Sequence, residues 1–332
     1  MTPPPPAPLP GIESVLVTGG AGFIGSHLVE RLLAAGHRVT VIDDFSTGNP
    51  ENLRGAEGNP RLRVIEAKVS RFPHLSGVVG EADAVFHLAA AVGVDLVVKS
   101  PIQTIRTNLG ETEAVLEAAS ERSRPVLVTS TSEVYGKSAK DDFDEEDDLL
   151  IGPPHLQRWS YACSKLMDEF LALAYAAERG LPVIVVRVFN TVGPRQTGRY
   201  GMVLPRFIAA AQAGAPLRVF GDGQQTRCFA YVADTVEALW RLMACPGARG
   251  QVFNVGSTEE ITIRGLADRV VRLLQSPSAV ELVSYAEAYA PGFEDMRRRR
   301  PSVAKLHRFT GFRPMTTLDE IILRTARAGV AI

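Results

Sequence analysis

The sequence lacks the features that several classes of protein need. Only three of its 332 residues are cysteines, and this odd, sparse set predicts neither a disulfide scaffold nor a zinc site. No run approaches the ~18 apolar residues of a membrane span. Because 36 basic and 37 acidic residues nearly cancel, no overall field favours nucleic acid or an anionic membrane. We therefore expect a cytoplasmic protein with no metal ion, no nucleic-acid partner and no membrane partner.

After a proline-rich start, the chain alternates short β-branched runs with helical stretches. The start has neither the basic region nor the long apolar run of a signal peptide, so residues 1–12 are predicted to be a Pro-rich disordered tail. Predicted strands lie near 14–18, 38–43, 62–66, 83–88, 125–130 and 182–187. Predicted helices lie at 23–35, 102–120 and 161–178. This order is typical of an α/β fold with a doubly wound parallel sheet that is covered on both faces.

Beyond about residue 188 the elements become shorter, and Pro- and Gly-rich turns separate them. Helices are predicted there at 202–213, 232–244, 263–275 and 317–328. This pattern favours a smaller C-terminal α/β lobe over the carboxyl edge of the sheet. The acidic stretch at 141–148 is predicted to be a solvated loop without a chemical role.

Three glycines mark the junction of the first predicted strand and helix. Gly19, Gly22 and Gly25 follow an apolar strand and open an amphipathic helix. Such glycines permit a tight turn and close approach of the backbone to a diphosphate, which the helix N-terminus attracts. Asp43 ends the second strand, where a carboxylate can bind both ribose hydroxyls of NAD and would repel the 2′-phosphate of NADP. The turn therefore predicts a dinucleotide site that prefers NAD.

A second motif combines a phenol and an ammonium group on one helix. Tyr161 and Lys165 lie one helical turn apart, so their side chains share a face. A free phenol has a pKa of about 10, and both the Lys165 ammonium and a positive nicotinamide would lower the pKa of Tyr161 by stabilising the phenolate. The phenolate could then remove a proton from a substrate hydroxyl while the adjacent C–H loses its hydride.

The G-x-x-G-x-x-G spacing and the Y-x-x-x-K motif resemble those of the extended short-chain dehydrogenase/reductase family, the NAD-dependent nucleotide-sugar epimerases and dehydratases, over residues 13–328. The resemblance implies a Rossmann-type NAD-binding domain at 13–187 and a nucleotide-sugar-binding lobe at 188–332, with some crossing of the chain between them. It also implies a homodimer. The cofactor contacts that it implies come from Gly19, Gly22, Phe23, Ile24, Gly25, Asp43, Asp44, Leu88, Ala89, Ala90, Asn108, Tyr161 and Lys165.

Two positions depart from the family pattern. Asn108 is followed by Glu111 and Thr112, whereas the family commonly has Gly-Thr there. Lys68 stands where many members carry an Asp that contacts adenine. The ribose and diphosphate contacts are therefore better supported than those to adenine.

The resemblance also assigns catalytic and substrate-binding residues. Thr131 occupies the family's catalytic Ser/Thr position, at a strand end where ligands bind in open α/β sheets. The catalytic set is Thr131, Ser132, Glu133, Tyr161, Lys165 and Arg299, and the substrate-binding set is Asn190, Arg195, Val219, Arg227 and Arg299. Arg227 is the first choice for the diphosphate because a guanidinium presents its donors in a fixed fork. Val219 is expected beside the pyrimidine, and Arg299 is the member of a four-arginine run expected to reach the sugar.

Several reactions of a 4-keto sugar intermediate remain open. The Thr-Ser-Glu-Val-Tyr-Gly stretch at 131–136 and Arg299 before Pro301 are similar to those of UDP-glucuronate decarboxylases, which form UDP-xylose. A UDP-sugar 4-epimerase would use the same Tyr, Lys and Thr. A nucleotide-sugar 4,6-dehydratase is the third choice because such enzymes typically have Asp in place of Ser132. A non-catalytic NAD-binding sensor would be expected to lose Tyr161 or Lys165, and both are present.

Overall fold

The structure is a computed structural model that describes residues 8–92, 100–197, 202–284, 287 and 296–329. Its central element is a sheet of seven parallel strands in the order β11-β6-β5-β4-β1-β2-β3. These strands are β1 Ser14–Thr18, β2 Arg38–Asp43, β3 Leu62–Glu66, β4 Ala84–His87, β5 Val126–Thr131, β6 Val183–Val188 and β11 Gln251–Val255. The remaining strands form three two-stranded pairs: β7 Thr191–Val192 with β10 Ala230–Tyr231, β9 Thr226–Cys228 with β12 Glu260–Thr262, and β8 Leu217–Phe220 with β13 Val280–Val283.

Helices cover both faces of the sheet. The helices of the described ranges are α1 Phe23–Ala34, α2 Leu75–Glu81, α3 Pro101–Ser120, α4 Trp159–Arg179, α5 Val203–Gln212, α6 Val232–Ala244, α7 Ile263–Leu273, α8 Ala304–Thr310 and α9 Leu318–Ala328. One face packs against α1, α6 and α8, and the other against α2, α3 and α4. Because both faces are covered, the central strands are apolar along their whole length: Val15, Leu16 and Val17 of β1 are all buried. The predicted doubly wound sheet is confirmed.

A separate apolar core defines the smaller lobe. It is formed by α5, α7 and α9 together with β8, through buried side chains such as Leu204, Leu217, Leu266 and Ile321. The capping box of Thr317 and Glu320 fixes the start of α9, because each side chain accepts a hydrogen bond from the backbone N–H of the other residue. The residues of this core all lie beyond residue 188.

The seventh strand of the sheet comes from the later part of the chain. β11 pairs in parallel with β6, with Phe253 opposite Val186, and α6 buries Val236 and Leu239 against the same core as α1. The sequence predicted crossing of the chain between lobes without locating it. Two segments return to the central sheet: 232–255, which carries α6 and β11, and α8 at 304–310, which packs Leu306 against the same core.

The start of the chain differs from its prediction. Residues 1–7 lie outside the described residues. Leu9, however, is only 2% exposed, and its backbone N–H donates to Nε2 of His37 at 3.0 Å. The prediction of a disordered tail through residue 12 is therefore wrong for Leu9, because this apolar side chain finds a place in the core beside α1. Within the described ranges, none of the helices combines the length and apolar character that crossing a bilayer requires.

Candidate active site

A cavity of about 790 Å³ opens at the carboxyl ends of the central strands, between the sheet and the smaller lobe. Such an edge is where open α/β sheets bind ligands, and the volume is that of a cofactor or ligand site. It brings together most of the residues predicted from the sequence. Those that line it are Gly19, Gly22, Phe23, Ile24, Gly25, Asp43, Asp44, Leu88, Ala89, Ala90, Thr131, Ser132, Glu133, Tyr161, Lys165, Asn190, Arg195, Arg227 and Arg299.

The turn between β1 and α1 has room only for glycine at positions 19 and 25. A Cβ at position 25 would lie 2.1 Å from the carbonyl oxygen of Gly19, and one at position 19 would lie 2.7 Å from the backbone nitrogen of Ala89. Gly19 also has a φ of +71°, which side chains rarely adopt. Gly19, Gly22 and Gly25 line the cavity, so the N-terminus of α1 borders it, and this cradle fits the diphosphate of a dinucleotide.

Two carboxylates follow β2 at the edge of this turn. Asp43 is 7% exposed, and it accepts hydrogen bonds from the backbone N–H groups of Ala21 and Phe45 at 2.8 and 2.9 Å. Burial raises the pKa of Asp43, and these two hydrogen bonds oppose the rise. Asp44 accepts from the backbone N–H of Ser46. The loop fixes both carboxyl groups beside the cavity, where NAD ribose was expected.

Asn108 does not line the cavity, contrary to its predicted role as a cofactor contact. Its side chain is buried in α3 and accepts from the N–H of Ala91 at 2.8 Å while donating to Oγ of Ser164 at 3.0 Å. It therefore ties the segment after β4 to α4 rather than reaching a ligand. Lys68 does line the cavity, with its ammonium donating to the hydroxyl of Thr107 at 3.3 Å.

Thr131 and Tyr161 meet across the floor of the cavity. Thr131 ends β5, and its hydroxyl accepts from the N–H of Glu133 at 3.2 Å. Burial raises the pKa of Tyr161, and the negative charge of Glu133 adds to the rise, whereas a hydrogen bond with Thr131 opposes it. The raised pKa keeps the phenol protonated at neutral pH, and the lowering predicted from the sequence also requires the positive charge of bound nicotinamide.

Lys165 has a different partner from the one expected. Its ammonium was predicted to stabilise the phenolate and to contact the cofactor. It donates instead to Oδ2 of Asp168 at 2.7 Å, and both side chains are almost fully buried, at 2% and 0% exposed. An ammonium this deeply buried needs a compensating charge, which Asp168 supplies from the next turn of α4. Lys165 still lines the cavity.

Arg299 lies beside the turn that follows β5. Its guanidinium donates to Oε1 of Glu133 and to Oδ1 of Asn190, both at 3.1 Å. Side chains of Arg299 and Glu133 are 11% and 18% exposed. Asn190 in turn donates to the carbonyl of Cys228. A guanidinium, an amide and a carboxylate thus line the same cavity as Thr131 and Tyr161.

The other predicted substrate residues have mixed outcomes. Arg227 is buried, lines the cavity and donates to the carbonyl of Thr226. Arg195 also lines the cavity, but its guanidinium pairs with Glu30 of α1. Val219 does not line it and is fully buried in the smaller lobe. Since side chains alternate along β8, its neighbours Arg218 and Phe220 face the cavity instead.

The acidic stretch 141–148 is not a free solvated loop. Phe143 exchanges two backbone hydrogen bonds with the segment carrying Arg299, at 2.9 Å to Arg300 and 2.8 Å from Ser302. Ion pairs on either side join Arg298 to Asp141, Arg300 to Asp142 and Lys305 to Glu146. The prediction of a solvated loop is wrong for Phe143 and Glu145, which are buried, because the segment that carries the basic run at 297–300 pairs with this stretch. In this extended segment Arg299 faces the cavity while its neighbours pair outside.

Sequence analysis missed a buried network behind the catalytic turn. Arg187 of β6 makes three hydrogen bonds to the carboxylate of Glu169 on α4, the shortest 2.8 Å, and Glu169 accepts from the hydroxyl of Ser130. Arg187 also donates to the phenol of Tyr135 at 3.0 Å. A charged residue inside an otherwise apolar strand was the available sign, because such a charge requires a buried partner. The sequence did not say which carboxylate it would be.

In the part of the chain that the structure describes, no group of His, Cys, Asp and Glu could hold a metal ion.

Comparison with known proteins agrees with this geometry. The chain is 42% identical over 311 residues to the UDP-N-acetyl-α-D-glucosaminuronate decarboxylase of Bacillus cytotoxicus, covering 93% of this chain and 95% of that one. It is 34% identical to UDP-glucuronic acid decarboxylase 6 of Arabidopsis thaliana, covering 96% and 92%.

Solved structures and family models point the same way. The crystal structure of the UDP-glucuronic acid 4-epimerase from Bacillus cereus, in complex with UDP-glucuronic acid and NAD, superposes with a TM-score of 0.84 at 27% identity, covering 95% of this chain and 98% of that one. The model of the NAD-dependent epimerase/dehydratase family matches residues 15–256. This match takes in the glycine turn, Thr131 and the Tyr161–Lys165 helix. The chain is therefore an enzyme of the NAD-dependent epimerase/dehydratase family, with NAD as its cofactor.

Proposed function

We propose that the chain is a UDP-glucuronate decarboxylase that forms UDP-xylose through a 4-keto intermediate. The observation that carries the proposal is the position of Arg299, whose guanidinium lies against Glu133 and Asn190 in the cavity that also holds Thr131 and Tyr161. A guanidinium binds a carboxylate through paired, charge-assisted hydrogen bonds. A uronic acid carries such a carboxylate at C6, attached to C5, whereas glucose and galactose carry a hydroxymethyl group there.

Oxidation of the sugar would take place beside the phenol. Thr131 and Tyr161 would hold the C4 hydroxyl between them, and Tyr161 would take its proton. Bound NAD would accept the hydride from C4 and return it later. Gly19, Gly25 and Asp43 would hold the diphosphate and ribose of the cofactor.

Carbon dioxide loss would follow from the chemistry of the ketone. A ketone at C4 makes the C6 carboxylate part of a β-keto acid, so the C5–C6 bond breaks and its electron pair forms an enolate. Arg299 would orient the carboxylate until it leaves. Glu133 and Ser132, which lie beside the same space, would assist delivery of a proton to C5 before the ketone is reduced.

Three related activities are alternatives to this proposal. The relative from Bacillus cytotoxicus is a decarboxylase of a uronic acid with an acetamido group at C2, and the argument from Arg299 holds equally for that substrate. The UDP-glucuronic acid 4-epimerase is a solved structure of similar fold, and epimerisation would use the same Thr131 and Tyr161. A 4,6-dehydratase is the third choice because Ser132 stands where such enzymes typically have Asp.

The test incubates the purified protein separately with UDP-glucuronate, UDP-N-acetylglucosaminuronate, UDP-glucose and UDP-galactose, and follows products by mass spectrometry and NMR. We expect carbon dioxide and UDP-xylose from UDP-glucuronate. Conversion of UDP-N-acetylglucosaminuronate alone would move the assignment to the acetamido sugar. Interconversion of the neutral sugars, with no loss of mass from either uronic acid, would contradict decarboxylation.

We also propose a homodimer and a cytoplasmic location. The pair of packed helices α3 and α4 presents apolar side chains to solvent, among them Ile102 at 68% and Phe170 at 62% exposed, with Ile105 and Met167 beside them. Exposed apolar side chains on adjoining helices are suited to a second copy of the same surface. The cytoplasmic location is supported by the free thiols of Cys163, Cys228 and Cys245.

A further inference from the structure

The charge of Lys165 is compensated inside the protein. The pair with Asp168 joins two side chains of α4 that are 2% and 0% exposed, with 2.7 Å between Nζ and Oδ2. Glu169, the next carboxylate along the helix, does not compete for Lys165 because Arg187 occupies it at 2.8 Å. Asp168 is therefore the carboxylate on α4 that balances the ammonium.

Two further groups beside this pair, His87 and Thr112, carry no charge at neutral pH. The imidazole of His87 on β4 is hydrogen-bonded through Nδ1 to the hydroxyl of Thr18 at 2.7 Å and through Nε2 to the hydroxyl of Thr112 on α3 at 3.1 Å. Burial, followed by the charge of Lys165, lowers the pKa of His87 to about 3, so this imidazole is neutral at neutral pH. Burial raises the pKa of Asp168, while Lys165 and then the Thr112 hydroxyl lower it.

Asp168 and three further groups affect the pKa of Tyr161. Besides burial, the charges of Glu133 and Asp168 raise its pKa, and Thr131 and Arg299 lower it. Two carboxylates thus oppose ionisation of the phenol. Removal of the Asp168 charge would leave Lys165 uncompensated one turn below Tyr161.

We propose that Asp168 is a positioning residue that holds Lys165 in place and offsets its positive charge, so that Tyr161 becomes a base only when the positive cofactor is bound beside it. The proposal rests on the proposed role of Tyr161. It does not depend on which sugar is the substrate. As a consequence, Tyr161 stays neutral in the resting enzyme. The phenolate forms only beside bound cofactor, where hydride transfer can follow.

The test titrates the phenol in Asp168→Asn. Absorbance of phenolate near ~295 nm is recorded against pH for each protein and for its Tyr161→Phe counterpart, and the difference isolates Tyr161 from the other tyrosines. Since Asn keeps the shape but not the charge, we expect ionisation in the variant to move down by about 1 pH unit or more. The acid limb of the kcat profile should move to lower pH by a similar amount, because activity is lost as pH falls through the pKa of the base.

Glu178→Gln is the matched control, because it removes an exposed carboxylate from the far end of the same helix, and it should titrate as the wild type does. An Asp168→Asn protein with unchanged phenol ionisation and an unchanged acid limb would overturn the proposal. If that variant fails to fold, titration of Tyr161 in the wild-type chain tests the proposal instead. Its phenol should ionise above pH 10 without NAD and at lower pH with NAD, whereas a phenol half ionised below pH 9 without NAD would contradict the offset. Because the titration needs no substrate, its outcome is separate from that of the proposed reaction.

Discussion

Tyr161→Phe is expected to lower kcat by about 10³-fold or more while leaving NAD bound. The phenol hydroxyl is the group placed to take the proton from the substrate hydroxyl, and general-base catalysis contributes ~10²–10⁴-fold. Phenylalanine keeps the ring that packs at the start of α4 and removes only the hydroxyl. The measurement is kcat with UDP-glucuronate, together with the NAD content of the purified protein.

Tyr175→Phe provides the control for this change. Tyr175 lies on the same helix, and its hydroxyl donates to Glu117 at the surface, at 2.6 Å. This variant should retain wild-type turnover. If Tyr161→Phe retained turnover within tenfold of wild type with normal NAD content, the phenol would not be the base.

Arg299→Met should weaken binding of UDP-glucuronate by about 100-fold and leave the affinity for UDP unchanged. The guanidinium would lose its charge-assisted hydrogen bonds to the sugar carboxylate, each worth about 1.5–3 kcal/mol, and about 1.4 kcal/mol corresponds to a tenfold change in affinity. UDP lacks the uronic acid, so its binding reports whether the rest of the site is intact. Isothermal titration calorimetry with both ligands measures the difference.

Two controls sharpen the assignment of Arg299. Arg297→Met removes a neighbouring guanidinium that pairs at the surface with Asp222, where the Arg297 side chain is 75% exposed, and it should change neither affinity. Arg299→Lys keeps the positive charge but loses the paired N–H donors of the guanidinium, so its affinity for UDP-glucuronate should fall between those of the wild type and Arg299→Met. Equal losses of UDP and UDP-glucuronate affinity in Arg299→Met would place this residue at the nucleotide rather than at the carboxylate.

The sequence was sufficient for the sheet and the glycine turn because each depends on short-range patterns. Apolar runs with a helical stretch between them predicted six of the central strands within one or two residues, and the space around Gly25 admits only the residue that the motif requires. β11 was missed because its short apolar run lies between turns, in the part of the sequence that was assigned to the smaller lobe and far from its partner β6. Its place is determined by pairing, not by its own pattern.

Side-chain partners were less predictable than the residues that line the cavity. Val219 was assigned to the substrate although strand alternation turns it into the core, and Asn108 was assigned to the cofactor although Ala91 and Ser164 hold it. The pair of Lys165 and Asp168 and the contacts of the acidic stretch depend on which charges the fold brings together. Spacing along the chain does not carry that information when partners lie on different elements or when several carboxylates are within reach.

Deuterium from solvent provides the most direct test of decarboxylation through a C4 ketone. The purified protein is incubated with UDP-glucuronate in D₂O, and the product is analysed by NMR and mass spectrometry. We predict UDP-xylose with a single deuterium at C5, from protonation after carbon dioxide loss, and with the original protium at C4, because the hydride returns to the carbon that gave it. A product without solvent deuterium at C5, or with deuterium at C4, would contradict this account.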